Sequence, residues 1–127
     1  MTIVLNHAIV PAHDKVAAAQ WFAKIFGLDY EGPHGPFAAV HVNDTLTLLF
    51  DSQKSFETGH YAFHVSDAEF DAIFGRVKDA HLPFGSAPGK FDDGEINHFS
   101  GGRGVYFKSP DGHILELMTV PQGAAGL

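Results

Sequence analysis

The order of periodic segments along the chain repeats once, and a repeat of that size leaves few architectures open. The β-branched run from Ile3 to Val10 ends at Pro11 and reads as a strand. Asp14 to Phe26 reads as a helix, with Val16, Ala19, Phe22, Ala23 and Phe26 at helical spacing and Gly27 placed to stop it. Strands are then expected over Leu28–Glu31, Phe37–Val42 and Thr45–Asp51, the last two joined at Asn43-Asp44. After the polar stretch Ser52 to Gly59 the same order begins again. His60–Val65 reads as a strand, Ser66-Asp67-Ala68-Glu69 as a capping box, and Phe70, Ile73, Phe74 and Val77 as the apolar stripe of a second helix. A Gly/Pro-rich loop from Leu82 to Lys90 leads into strand-like Glu95–Phe99, Gly104–Lys108 and His113–Val120.

The expected fold is therefore α+β, with two βαβββ repeats at residues 1–52 and 58–120 of a single domain over residues 1–121, and a tail at 122–127 without structure signal. Each helix covers one face of its half-sheet. The other faces, turned toward each other, are expected to form a partial barrel around a cavity.

Bulk properties narrow the partners. At 127 residues the chain suits one domain. With no cysteine, disulfides and thiolate metal sites are ruled out. A formal net charge of −7 argues against nucleic acid or an anionic membrane as partner, since both attract a positive surface. No apolar run approaches the roughly 20 residues of a membrane span. No basic residue precedes the first apolar stretch, so a signal peptide is not expected. A soluble, cytoplasmic protein acting on a small molecule is the expectation.

Alternation along strands sorts the chemistry. Leu5, His7 and Ile9 share one face; so do His60, Ala62 and His64; so do Ile114, Glu116 and Met118. His7 and His60 stand at the same place in their repeats. Glu116 interrupts the apolar run from Ile114 to Met118, where an ionised carboxylate is costly unless paired or coordinated. Two imidazoles and a carboxylate make a set that holds one divalent cation and leaves positions open for water, substrate or oxygen. The bland rival is a salt bridge from Glu116 to Arg103. His64 reads as a packed neutral residue, and His13, His34, His81 and His113 as loop or exposed residues.

These residues carry a resemblance to a known group. Leu5-Asn6-His7-Ala8-Ile9, Gly59-His60-Tyr61-Ala62-Phe63 and the stretch from Val105 to Leu117, with its Pro110-Asp111-Gly112 turn, resemble the vicinal oxygen chelate superfamily of glyoxalases, bleomycin-resistance proteins and extradiol dioxygenases. The resemblance runs from Ile3 to Thr119 and implies His7, His60 and Glu116 as the metal ligands. The fourth ligand of lactoylglutathione lyases falls on Thr47, a poor one. Fosfomycin-resistance enzymes share the three ligands and the tyrosine at Tyr106. They carry a hydroxyl residue where Ile9 stands and an arginine beyond the glutamate, which this chain lacks. Extradiol dioxygenases are similar over Ile96-Asn97-His98, Val105-Tyr106 and Pro110 to Glu116. That likeness implies His98 and Tyr106 as the proton-handling and hydrogen-bonding pair.

The expectation is thus a dioxygenase-like enzyme on a small vicinal-oxygen or aromatic substrate, with one divalent ion, Fe(II) before Zn(II), Mn(II) or Ni(II). The alternatives are a glyoxalase-type lyase or isomerase, and a resistance protein that sequesters a drug or toxin without chemistry. The resemblance also implies a homodimer.

Overall fold

A computed structural model describes residues 3–122; of the tail read from the sequence, residues 123–127 lie outside the described residues. The chain divides into two compact units, one ending at Thr58 and the other beginning at Gly59. Each holds one strand–helix–three-strand unit. The fold is α+β with two βαβββ repeats, as the pattern predicts.

In the first unit β1 (His7–Ala12), α1 (Lys15–Phe26), β2 (Tyr30–His34), β3 (Phe37–His41) and β4 (Thr47–Ser52) form an open sheet in the order β1-β4-β3-β2. β1 runs parallel to β4 and the other pairs are antiparallel. The Asp14 side chain accepts from the Val16 and Ala17 amides and starts α1, while Gly27, at φ 71, ends it. The helix buries Ala19, Phe22, Ala23, Ile25 and Phe26, and Phe22 stacks on Phe26 at 4.2 Å. Val10 and Ala12 of β1 are buried, whereas Ile9, on the opposite side of the strand, is 48% exposed. The first strand was expected to end at Pro11, yet β1 continues through it to Ala12. β1 is an edge strand, where the missing proline amide costs no ladder bond.

The second unit repeats the plan with β5 (His60–His64), α2 (Asp67–Asp79), β6 (Phe84–Gly85), β7 (Gly104–Lys108) and β8 (Ile114–Met118), in the order β5-β8-β7-β6. The capping box forms: the Ser66 amide donates to Glu69 Oε1 at 2.8 Å and the Glu69 amide to Ser66 Oγ at 3.1 Å. That pairing holds the Glu69 carboxyl below its usual range. Phe70, Val77, Val105, Phe107 and Leu117 are fully buried. Ser66→Ala removes the acceptor and is expected to lower stability by about 1 kcal/mol. A urea midpoint unchanged within error would show that the cap contributes nothing.

The second repeat departs from expectation at one strand. Glu95–Phe99 is not a strand; it supplies a single bridge, Asn97 to Gly104, followed by a 3₁₀ turn at Phe99–Gly101. The Asn97 side chain accepts from the Phe99 amide, and Ser100 at φ 57 turns the chain out of the extended region. The pairing strand is instead β6, inside the stretch read as a loop. It is two residues long, too short to show alternation, and Gly85 faces Tyr106 in the register.

Among the described residues no helix is long and apolar enough to cross a membrane.

Candidate metal centre

Glu116 lies mid-strand in β8, with Ala62 of β5 and Tyr106 of β7 beside it in register. Leu115 and Leu117 point to the other face and are buried. Glu116 itself is 8% exposed, so its carboxylate needs partners. It has two. His60 Nε2 lies 2.9 Å from its Oε1, and the Tyr106 hydroxyl donates to the same carboxylate. Burial, then the bond to Glu116 and its charge, push the Tyr106 phenol up to about 12, so at ordinary pH Tyr106 is a proton donor. The His60 and Tyr106 rings meet edge-on at 5.9 Å.

The rival partner is engaged elsewhere. Arg103 donates from Nη1 to Asp71 at 2.7 Å and from Nη2 to Asp67 at 3.0 Å, with its guanidinium 4.4 Å from the Phe70 ring centre. It ties the entry of β7 to the first turns of α2, and its hydrogen bond holds the Asp71 carboxyl below the usual range.

Two donors on one cation, each about 2.0–2.2 Å from it, stand roughly 2.8–3.6 Å apart at angles between square and tetrahedral. The 2.9 Å between His60 Nε2 and Glu116 Oε1 falls in that window. The two atoms stand at hydrogen-bonding distance, and both are donors of the kind that would hold a divalent ion. On spacing and donor chemistry the pair fits a metal.

His7 opens β1 in the first unit, exposed, with Thr47 as its register partner. Its Nδ1 is 2.9 Å from Asn6 Oδ1. With that oxygen accepting, the proton sits on Nδ1 and Nε2 carries the lone pair a metal would use. Among the described residues, no group of three or more His, Cys, Asp or Glu side chains is gathered closely enough to hold a metal ion. Within the second unit the structure brings His60, Tyr106 and Glu116 together.

His98 caps the 3₁₀ turn, exposed, and its Nδ1 donates to the Gly102 carbonyl at 3.1 Å. His64 Nε2 likewise donates to the Thr119 carbonyl at 3.2 Å, at an exposed position rather than a packed one. His113 departs furthest from its reading as an exposed loop residue: it is 3% exposed. The strand start it precedes folds it inward, where its Nδ1 accepts from the Gly59 amide at 2.8 Å.

A cavity of about 400 Å³ opens beside Glu116 and Tyr106. Pro88, Phe99, Met118 and Val120 supply apolar wall, Asn97 and Ser100 polar wall. Met118 was expected there from its alternation with Glu116. Asn97 was not, because its role depends on the tertiary turn: its Nδ2 donates to the Ser86 carbonyl at 3.0 Å. Phe99 is 54% exposed, an apolar ring at the cavity mouth.

No model of a known protein family matches the sequence. A metallothiol transferase, FosB, of Shouchella clausii (strain KSM-K16) is 33% identical over 60 residues, a stretch spanning 47% of this chain and 37% of that protein. Among solved structures, Oxidase ChaP-H2 is 46% identical, with a TM-score of 0.92, over 99% of this chain and 100% of that one. The chain belongs to the vicinal oxygen chelate superfamily. A lactoylglutathione lyase from Agrobacterium tumefaciens shares the vicinal oxygen chelate fold at a TM-score of 0.68 and 20% identity, over 92% of both chains. The superfamily is one of metal-dependent glyoxalases, dioxygenases and resistance proteins.

Proposed function

We propose that this protein is a metal-dependent vicinal oxygen chelate enzyme, of the dioxygenase or oxidase kind, acting on a small vicinal-oxygen or aromatic substrate. The observation that carries the reading is the His60–Glu116 pair, at metal-ligand spacing and joined by the Tyr106 hydroxyl, beside a partly apolar cavity. The likeness to an oxidase over nearly the whole chain supports the reaction class.

His60, Glu116 and His7 would hold one divalent ion, Fe(II) first among the candidates. Bound there, it would supply a Lewis acid that stabilises negative charge on adjacent substrate oxygens. The chain's own groups do the rest. Glu116 contributes a buried carboxylate whose direction is fixed by Tyr106. Tyr106 keeps its proton, which its O–H presents to the Glu116 carboxylate, and its hydroxyl oxygen is left as an acceptor. Met118, Val120 and Phe99 exclude water and present apolar surface to a ring. His98, on the turn next to Phe99, is the candidate proton carrier at the mouth.

His7 joins the set from a second copy of the chain. His7 lies exposed on the face of β1 that also carries exposed Ile9, with exposed Leu5 just before the strand. A homodimer in which each site takes His7 from one copy and His60 with Glu116 from the other would give that exposed face a partner. The glyoxalase-type reading is the second choice, because Thr47 stands where those lyases place a further ligand.

Elemental analysis of anaerobically purified protein tests the site. Wild type should carry about one divalent ion per chain and Glu116→Ala almost none, while Tyr106→Phe keeps it. Equal metal in wild type and Glu116→Ala removes the proposal. An oxygen-labile Fe(II) supports the dioxygenase kind; a stable Zn(II) or Ni(II) supports the lyase.

A further inference from the structure

His113 is buried, and nothing so far gives it a task. It ends the turn that opens β8. The Ser109 amide donates to the His113 carbonyl at 2.9 Å, the His113 amide to Ser109 Oγ at 3.1 Å, and Gly112 takes the left-handed conformation at φ 89. From there the ring reaches across to β5. Its Nδ1 accepts from the Gly59 amide at 2.8 Å, while the Gly59 carbonyl accepts from the Ile114 amide at 2.9 Å. Both backbone groups of the residue before His60 are therefore held by residues 113 and 114.

We propose that His113 is a positioning residue: clamped on the Gly59 amide, it fixes the start of β5 so that the His60 imidazole faces Glu116. Three observations carry it. β5 is an edge strand with β8 as its partner, and His60 is its first residue, where a ladder frays most easily. The His60 side chain is 45% exposed, so packing alone does not set its direction. Nδ1 accepts from a backbone N–H, so it carries the lone pair and the ring is neutral with its proton on Nε2. Tyr61 lies edge-on to the His113 ring at 5.5 Å, and a Cβ on residue 59 would come within 2.8 Å of the Tyr61 hydroxyl. Glycine there leaves room for both rings to lie against the strand start.

The proposal rests on the reading that His60 and Glu116 bind a metal, and its test separates the two. His113→Phe keeps the ring and its edge contact with Tyr61 but removes the acceptor; His113→Asn returns an oxygen near the place of Nδ1. Imidazole nitrogen NMR of metal-free protein reads the His60–Glu116 hydrogen bond directly. Cobalt(II) titration reads affinity. We expect His113→Phe to lose the hydrogen-bonded His60 signal and to bind cobalt about 10- to 100-fold more weakly, the range seen when groups supporting a metal ligand are removed. His113→Asn should restore both to within a few-fold of wild type. Ile73→Val, a core change remote from the site, serves as the stability control and should leave both readings alone. If His113→Phe fails to fold, His113→Met, which fills the space with a flexible apolar chain, replaces it. An unchanged His60 signal and cobalt affinity without the acceptor would overturn the proposal. So would equal losses in Ile73→Val. Wild type that binds no cobalt defeats the metal reading alone, since the metal-free spectrum still decides His113.

Discussion

His7→Ala and Glu116→Ala, each expected to purify without stoichiometric metal, should recover about a quarter of the wild-type content when unfolded together in equal amounts and refolded. The fraction follows from the geometry of a two-fold dimer. Random pairing makes about half of the dimers mixed. In a mixed dimer one site collects both defects and the other collects neither, so about one site in four overall is intact. Were His7 to come from the same chain as Glu116, every site would carry one defect and nothing would be recovered. The physical ground is the first unit's sheet. α1 covers the side on which Val10 and Ala12 are buried, and the other side of β1 presents His7 and Ile9, 48% exposed, with Leu5, 65% exposed, just before the strand. Apolar side chains flanking a candidate ligand mark a surface that meets something. Recovered metal supports the shared site. Metal lost in both variants with no recovery on mixing places the three ligands in one chain, and full metal in His7→Ala removes His7 from the set.

How much of this was readable from sequence depends on the range of the interactions involved. The helices and their starts were legible because capping is local: Asp14 and Ser66 act on amides within three residues. The βαβββ repeat was legible because apolar periodicity survives without tertiary context. Glu116 stood out because a carboxylate between two core leucines conflicts with its surroundings, and the structure resolves the conflict with His60 and Tyr106. What escaped was set by contacts distant in sequence. β6 has two residues and no pattern of its own; it exists because Gly85 lets a neighbouring backbone come close. Glu95–Phe99 has strand-like residues, but the Asn97 side chain and Ser100 bend it into a turn. His113 reads as part of an exposed turn until β8 is laid beside β5, when its ring becomes the acceptor for an amide 54 residues away.

The same glycine-to-alanine exchange at two positions of the second unit should move stability in opposite directions, and the larger effect bears on the site. At Gly75, in α2, an added Cβ meets nothing within 4 Å. Gly75→Ala should therefore stabilise the protein by roughly 0.5–1 kcal/mol, through helix propensity and a less flexible unfolded chain. At Gly85 an added Cβ would lie 1.6 Å from the Lys90 carbonyl oxygen and 2.8 Å from the Phe91 carbonyl carbon. Both are backbone atoms, so no side chain can swing aside and the segment itself has to move. Such overpacking costs about 3 kcal/mol, outweighing the entropic gain, a large share of the roughly 5–15 kcal/mol that holds a domain folded. Gly85 pairs with Tyr106, and the displaced segment carries Phe91, whose ring meets Tyr106 edge-on at 6.3 Å. The strain is therefore delivered to the side chain that orients Glu116. Urea denaturation of both variants, with cobalt affinity measured on the folded fraction, checks the pair. Gly85→Ala as stable as wild type would mean that β6 yields without cost and does not brace Tyr106. A loss of stability accompanied by weaker cobalt binding would tie this two-residue strand to the metal centre.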